Sequence, residues 1–541
     1  MKWLIKILNN RTATILCLLF AILNRIIFCL FYTTISRDTR VQLTYAENLI
    51  NGKGMGVTKY FTTDLVTPVF DTYQLFPPGY SLSIAPFLWI TGNNEQTSVL
   101  TFEIISAVLF IVSVCYLTFR IGLSSWLTNI MILFAGCSQY PFFLSSSPTD
   151  VISLSLVLFG IGASIGIIKA EKMLTILQLL CYGILFTIPS FYRYMYIPVS
   201  IIFPIIIIYS GIVFPNKVVR NNGIKLLLIT TGLILLFLSF SFISSGNAMH
   251  IYNTERGIYP DQVIRWYPFI PASFINLDFA IQQISIITGI AYSTIMFMAE
   301  ILNGLLLVLF LFLLFRFLFF KSKSKISLQG FIFITSGSAI SLSILLMLAY
   351  LSLTYEKQDW GEFSWTYSYD IRYFAFIYVF IPLLLFYFIN KLKTLKKNSF
   401  FIASIIALLL LSTEAMHGFY FNMKIILKSS SLNRLKNRDQ DYKSFPLVLE
   451  RIHKSYPDRL IYVCGPDQYY SHTASVMGYR ALFDYKNLGN TTLYPPEKSI
   501  LLVPVHSQDA WIMKDYVEKN HPEIVDSVSG TVFYLQELLP G

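Results

Sequence analysis

Eleven apolar runs of membrane-spanning length divide this chain. They lie near residues 12–35, 98–118, 122–142, 150–168, 173–191, 195–213, 225–244, 299–320, 329–353, 372–390 and 399–417. A helix crosses the hydrocarbon of a bilayer with about 20 apolar residues, and no soluble core accommodates so many such runs. Charge is correspondingly scarce. Only 13% of the 541 residues are charged, against about 25% in soluble domains. The first run does not read as a cleavable signal peptide: it is too long, Arg25 interrupts it, and no small-residue cleavage site follows. The expected fold class is an α-helical polytopic membrane protein with about eleven transmembrane helices.

The net charge of +11 does not point to nucleic acid, because the cations cluster in short loops between apolar runs. Lys and Arg favour the cytoplasmic side of a membrane. With Lys2, Lys6 and Arg11 inside and the spans simply alternating, the other inside loops hold Arg120, then Lys169 and Lys172, then Lys217, Arg220 and Lys225. The same alternation places Lys321, Lys323 and Lys325, and finally Lys391, Lys393, Lys396 and Lys397, inside. The outside receives a long loop of residues 36–97, turns near 145–150 and 190–193, loops of 245–298 and 354–371, and the tail from about 420. A plasma-membrane location with the N-terminus cytoplasmic is expected.

The tail changes character. Phe445 to Lys454 reads as a helix, Arg459 to Pro466 as a buried strand ended by a Gly-Pro turn, and Ser499 to Val505 as a second strand. Asp509 to Lys519 reads as a helix and Ile524 to Leu535 as a final strand pair. The expected organisation is a membrane domain over residues 1–420 and a small extracytoplasmic α/β domain over 421–541. The tail has no glycine-rich phosphate loop. The six cysteines form no metal or disulfide pattern, and the six histidines stand at no ligand spacing. No metal site and no cofactor are expected.

Most acids, Trp and Tyr fall in the outer segments, so the chemistry is expected at the outer face rather than at the bilayer midplane where transporters place theirs. Asp38 emerges just past the first span, in Ser36-Arg37-Asp38-Thr39-Arg40. After it, Val41 to Ile50 has helical spacing with a stripe at Val41, Tyr45, Asn48 and Leu49, and Gly52 is placed to end the helix. An amphipathic helix lying flat on the membrane fits this segment. Phe76-Pro77-Pro78-Gly79-Tyr80 is a rigid turn that feeds a second apolar stretch.

The acid after the first span, the Tyr45-Ala46-Glu47-Asn48-Leu49-Ile50-Asn51-Gly52-Lys53-Gly54 helix end and the Pro77-Pro78-Gly79-Tyr80 turn resemble the GT-C membrane glycosyltransferases. The branch they resemble is that of the protein O-mannosyltransferases and lipid A aminoarabinose transferases. Ser147-Pro148-Thr149-Asp150 resembles the Thr-Asp that opens the family's fourth span. Phe191-Tyr192-Arg193-Tyr194 resembles its arginine at the outer end of the fifth, and Asp370-Ile371-Arg372-Tyr373 its late Arg-Tyr. The resemblance covers residues 1 to about 420. One departure is Thr39, which stands where many members carry a second acid. This favours a lipid or glycan acceptor over a protein.

The resemblance implies transfer of a sugar from a polyprenyl-phosphate donor to an envelope lipid, glycan or protein at the bilayer's outer face. A carboxylate can take the acceptor's proton, a step worth about 10²–10⁴-fold, and Asp38 is the candidate base. Arginine neutralises the phosphate that leaves. Arg193 and Arg372 are candidates for this, with Arg256 and Arg265 behind them, and Asp150, Tyr80 and Tyr373 complete the expected substrate-binding set. Plainer readings stand beside these. Asp38 and Asp150 also suit helix N-caps, and Arg372 suits a pair with Asp370. The competing functions are an outer-face glycan polymerase or ligase, which usually relies on arginines in late loops, and a transporter, which requires polar spans. The topology has a direct test. A Gln440→Cys variant is expected to react with an impermeant thiol reagent from outside, and reaction only after permeabilisation would overturn the threading.

Overall fold

The structure is a computed structural model. It describes residues 10–32, 37–61, 68–71, 76–138, 148–245, 284–291, 327–354, 374–395, 433–482, 493–528 and 530–541, with a few isolated positions besides. The chain opens with α1 (Arg11–Tyr32) and α2 (Arg37–Ile50). An antiparallel hairpin of β1 (Val57–Phe61) and β2 (Pro68–Asp71) and the helix α3 (Gly79–Ile90) follow. Next come α4 (Glu95–Arg120), α5 (Ser125–Cys137), α6 (Pro148–Ala170), α7 (Ile176–Tyr192), α8 (Ile197–Val213) and α9 (Lys217–Ser245). Then follow α10 (Leu328–Thr354) and α11 (Ala375–Leu395). The tail comprises α12 (Asn433–Ser455), β3 (Leu460–Val463), α13 (Gln468–Val476), β4 (Arg480–Ala481), β5 (Ser499–His506), α14 (Lys514–Asn520), β6 (Glu523–Val528) and β7 (Thr531–Leu538).

Nine of the expected spans coincide with α1 and with α4 to α11. The runs at 299–320 and 399–417 lie outside the described residues. Among the described residues, six helices are long and apolar enough to cross a membrane, and α5, α7 and α11 are apolar but shorter. The chain is a multi-pass helical membrane protein. It divides into two compact units. The first gathers Met1–Phe31, Glu103–Ser239 and Ile251–Lys424, and the second gathers Tyr32–Phe102, Phe240–His250 and Ile425–Gly541.

In the first unit α6 is the hub, with α7, α8, α10 and α11 packed against it. Small residues make this possible, since lipid-embedded helices associate by close backbone approach. Gly160 leaves room for the ring of Phe203, whose Cζ lies 2.6 Å from where a Cβ would stand, and Gly162 does the same for Tyr116. Phe203 in turn stacks on Phe186 with centroids 4.9 Å apart. The end of the short helix α5 is satisfied from another span. Arg25 of α1 donates from Nε and Nη2 to the carbonyl of Ala135 at 3.1 and 2.7 Å, and Asn24 donates to Gly136 at 2.8 Å. The last carbonyls of a helix have no internal partner, and here the interrupting arginine of the first span supplies one.

In the second unit the tail forms a five-stranded mixed sheet of order β4-β3-β5-β7-β6. β3 pairs parallel with β4 and β5, while β5–β7 and β6–β7 are antiparallel. Side chains alternate across the sheet. Ile461, Val463, Ile500 and Leu502 face a cluster with Phe445 and Leu449 of α12 and Tyr470 of α13. Tyr462, Leu501, Val503 and Val505 face the opposite cluster with Tyr516 of α14. Both faces are covered, which is why these strands read as unbroken apolar runs. The expected strands, strand pair and first helix of the tail find their elements, while the helix expected from Asp509 begins only at Lys514.

Packing of α1 on α5 is tight enough to test. A Cβ on Gly136 would collide with Ala21, so Gly136→Ala is expected to lower stability by about 1–3 kcal/mol in thermal unfolding in detergent. Gly232 of α9 has nothing within 4 Å of its missing Cβ, so Gly232→Ala is expected to be neutral or mildly stabilising, by up to about 1 kcal/mol.

Candidate functional site

In the second unit, α2 follows α1 after four residues and carries Asp38 as its second residue. Gly52 takes φ +71° just past its end, and the amides of Asn51, Gly52 and Lys53 turn back to the carbonyls of Glu47, Leu49 and Asn48. This is the left-handed helix stop that glycine favours. The helix does not present the single stripe of a surface helix, however. Every residue from Thr39 to Asn48 is buried, the polar ones included. α3 and the tail helix α13 both pack against it, and the hydroxyl of Ser81 on α3 donates to the carbonyl of Gln42 at 2.8 Å. Sequence periodicity registers the apolar stripe. It is blind to a partner from the far end of the chain.

Two helical turns of α2 and the start of α4 enclose a charged cluster. Arg40 is 1% exposed; its guanidinium ion-pairs with Glu95, and its Nη1 lies 3.7 Å from Glu47 Oε1. The guanidinium carbon also sits 5.2 Å from the ring centroid of Tyr469 on α13, a cation–π contact. Burial works against the Arg40 charge, but Glu95 and then Glu47 outweigh it, so its pKa is raised. Burial pushes Glu47 up to about 8, although Arg40 pulls the other way; Glu95, which also hydrogen-bonds Glu47, adds to the rise. Burial likewise lifts the Tyr469 phenol to about 12, against the pull of Arg40.

In the first unit, Asp150 stands in the first turn of α6 and is 2% exposed. Arg193 caps the C-terminus of α7 with extended backbone and donates from Nη2 to Asp150 Oδ2 at 2.6 Å. Next to the pair, the Ser190 and Ser200 hydroxyls meet at 2.7 Å between α7 and α8. A carboxylate at a helix N-terminus is favoured by the helix dipole, and a buried one requires a cation as well. Asp150 therefore stands inside the first turn of α6 rather than at its N-cap, and Arg193 answers its charge.

The structure thus brings Asp150 and Arg193 together. Tyr80, expected among the substrate-binding residues, is fully buried at the start of α3, its ring edge-on to Phe102 at 5.1 Å. Arg372, Tyr373, Arg256 and Arg265 lie outside the described residues. Arg40 and Glu47 stand within the motifs of the first outer loop but carry no role there. Their seven-residue spacing, two turns on one helical face, was the available signal. Among the described residues, no three His, Cys, Asp or Glu side chains converge as a metal-holding group.

No protein-family model matches the sequence, and no curated protein matches it. Among solved structures, ArnT from Cupriavidus metallidurans in the apo state is similar over 97% of this chain and 98% of its own, at 11% identity and a TM-score of 0.46. The archaeal oligosaccharyltransferase AglB from Archaeoglobus fulgidus, in complex with an inhibitory peptide and a dolichol-phosphate, is similar over 94% of this chain and 70% of its own. The identity there is 12% and the TM-score 0.47. The Archaeoglobus fulgidus oligosaccharyltransferase tethered with an acceptor peptide containing the NVT sequon is similar over 97% and 73%, at 12% identity and a TM-score of 0.49.

Removing one partner of a buried ion pair strands the other. Arg193→Ala is expected to cost about 3–5 kcal/mol, and the double variant Asp150→Asn with Arg193→Gln clearly less. A double-mutant cycle on detergent unfolding checks this, and additive losses would count against a coupled pair.

Proposed function

We propose that this protein is a membrane glycosyltransferase that moves a sugar from a polyprenyl-phosphate donor to an envelope lipid, glycan or protein on the outer membrane face. The reading includes a plasma-membrane location, a cytoplasmic N-terminus, a transferase domain over residues 1–420 and an extracytoplasmic domain over 421–541. The observation that carries it is the setting of Asp38. It stands at the start of a buried helix directly behind the first span, where a base would meet a donor whose lipid tail lies in the bilayer.

The reaction is an inverting displacement. The acceptor O–H or N–H gives its proton to the Asp38 carboxylate as its heteroatom attacks the anomeric carbon. The bond from that carbon to the phosphate oxygen breaks, and the polyprenyl phosphate leaves with the electron pair. Arg193 is the candidate to meet the growing phosphate charge. Asp150 takes one of its five N–H donors and fixes the direction of the guanidinium fork. Arg372, Tyr373, Arg256 and Arg265 remain proposed substrate contacts. Tyr80, fully buried with its ring edge-on to Phe102 of α4, remains a proposed member of the substrate-binding set. Thr39 in place of a second acid favours a lipid or glycan acceptor.

Asp38→Asn keeps size and loses the base. In membranes supplied with a radiolabelled polyprenyl-phosphate sugar, transfer is expected to fall by about 10²–10⁴-fold with donor binding retained. Transfer at the normal rate would remove Asp38 from the mechanism.

A further inference from the structure

The cluster around Arg40 joins three stretches of chain that are far apart in sequence: α2, the first residue of α4 and the tail helix α13. Its cost is considerable. The Arg40 guanidinium and the Glu47 carboxyl are taken out of water, with Glu95 partly exposed beside them, and a buried ion pair is often no more stable than apolar packing of the same volume. Stability alone does not explain it. What a buried Arg provides is direction, because its planar fork and flat face accept partners only from set angles. Here the carboxylate of Glu95 approaches the fork and Tyr469 covers the face. The tail helix that delivers Tyr469 is itself fixed, since the Asp467 carboxylate at its N-cap accepts the Tyr469 amide at 3.0 Å.

We infer that Arg40 is a positioning residue and that the tail domain clamps α2 through the ring of Tyr469, fixing the turn of helix on which Asp38 stands. Arg40 lies two residues after Asp38, so any rotation of α2 that moved one would pull the other from its partners. The tail is thereby part of the transfer machinery without touching substrate. The clamp stands on contacts alone; its consequence for transfer rests on Asp38 being the base.

The groups that face one another in the cluster are Arg40 and Glu47 of α2, Glu95 of α4 and Tyr469 of α13. Glu47→Gln mimics the protonated carboxyl and is expected to leave the clamp intact. Tyr469→Leu removes the aromatic face while keeping apolar bulk, and Tyr469→Phe keeps the face. In full-length protein, an Asp38→Cys variant reports the order of the α2 start by its rate of reaction with an impermeant thiol reagent, measured above the background without that change. Adding Tyr469→Leu is expected to raise this rate about tenfold, and adding Tyr469→Phe to leave it unchanged. With Asp38 intact, Tyr469→Leu is expected to lower kcat at least tenfold with the donor KM unchanged, and Tyr469→Phe to restore it. Arg40→Lys, which keeps charge but loses the fork, is expected to behave as Tyr469→Leu and serves if that variant fails to fold. An unchanged labelling rate in Tyr469→Leu or Arg40→Lys would overturn the clamp. Faster labelling with unchanged kcat would uphold the clamp and instead overturn Asp38 as the base.

Discussion

Hydrocarbon offers no hydrogen-bond partner, and each polar group placed in it must bring its own. That constraint organises the helical unit. The last carbonyls of α5 are met by Asn24 and Arg25 of α1. Asp150 can stand buried at the head of α6 because Arg193 reaches it from the end of α7. The hydroxyls of Ser190 and Ser200 answer each other across the α7–α8 contact. With so few polar groups, each pairing has few alternatives, and the pairings fix which helix ends lie side by side. The apolar residues then fill the space, guided by glycines where rings must enter.

The spans were legible because hydropathy over about 20 residues is a local property, and α1 and α4 to α11 lie where the runs predict. The tail was legible for a similar reason. Its strands alternate between two covered faces and are bounded by Gly, Pro and polar turns. The end of α2 was readable from Gly52 alone. The surroundings of α2 were not. Helical spacing showed an apolar stripe and gave Arg40, Thr44 and Glu47 no role, since nothing local says that α13 will cover them. The partners of α5's last carbonyls were hidden too: Ser138, Gln139 and Pro141 mark its end locally, but Asn24 and Arg25 reach it from the first span. Asp150 was half legible: its place at a helix head was clear, and its partner depended on where α7 would end.

The proposed chemistry and the charge balance of α2 constrain each other. Arg40 with two ionised carboxylates would leave a net negative charge around a buried guanidinium, whereas one retained proton makes the cluster neutral. Burial and Glu95 raise the Glu47 carboxyl to about 8, so of the two it is the one that favours the proton. The folded state then holds a proton that an unfolded chain releases at ordinary glutamate pH. The cluster's contribution is therefore full at acid pH and is lost as pH rises from that range through about 8. The base of the proposed transfer must be ionised at the pH where Glu47 is neutral. On the proposed mechanism Asp38, nine residues before Glu47 on the same helix, supplies the ionised carboxylate, while burial favours the proton on Glu47. The position that needs its proton is enclosed by Arg40, Glu95 and Tyr469. The position that must lose it stands at the end of the helix next to the first span, where donor and acceptor are to meet.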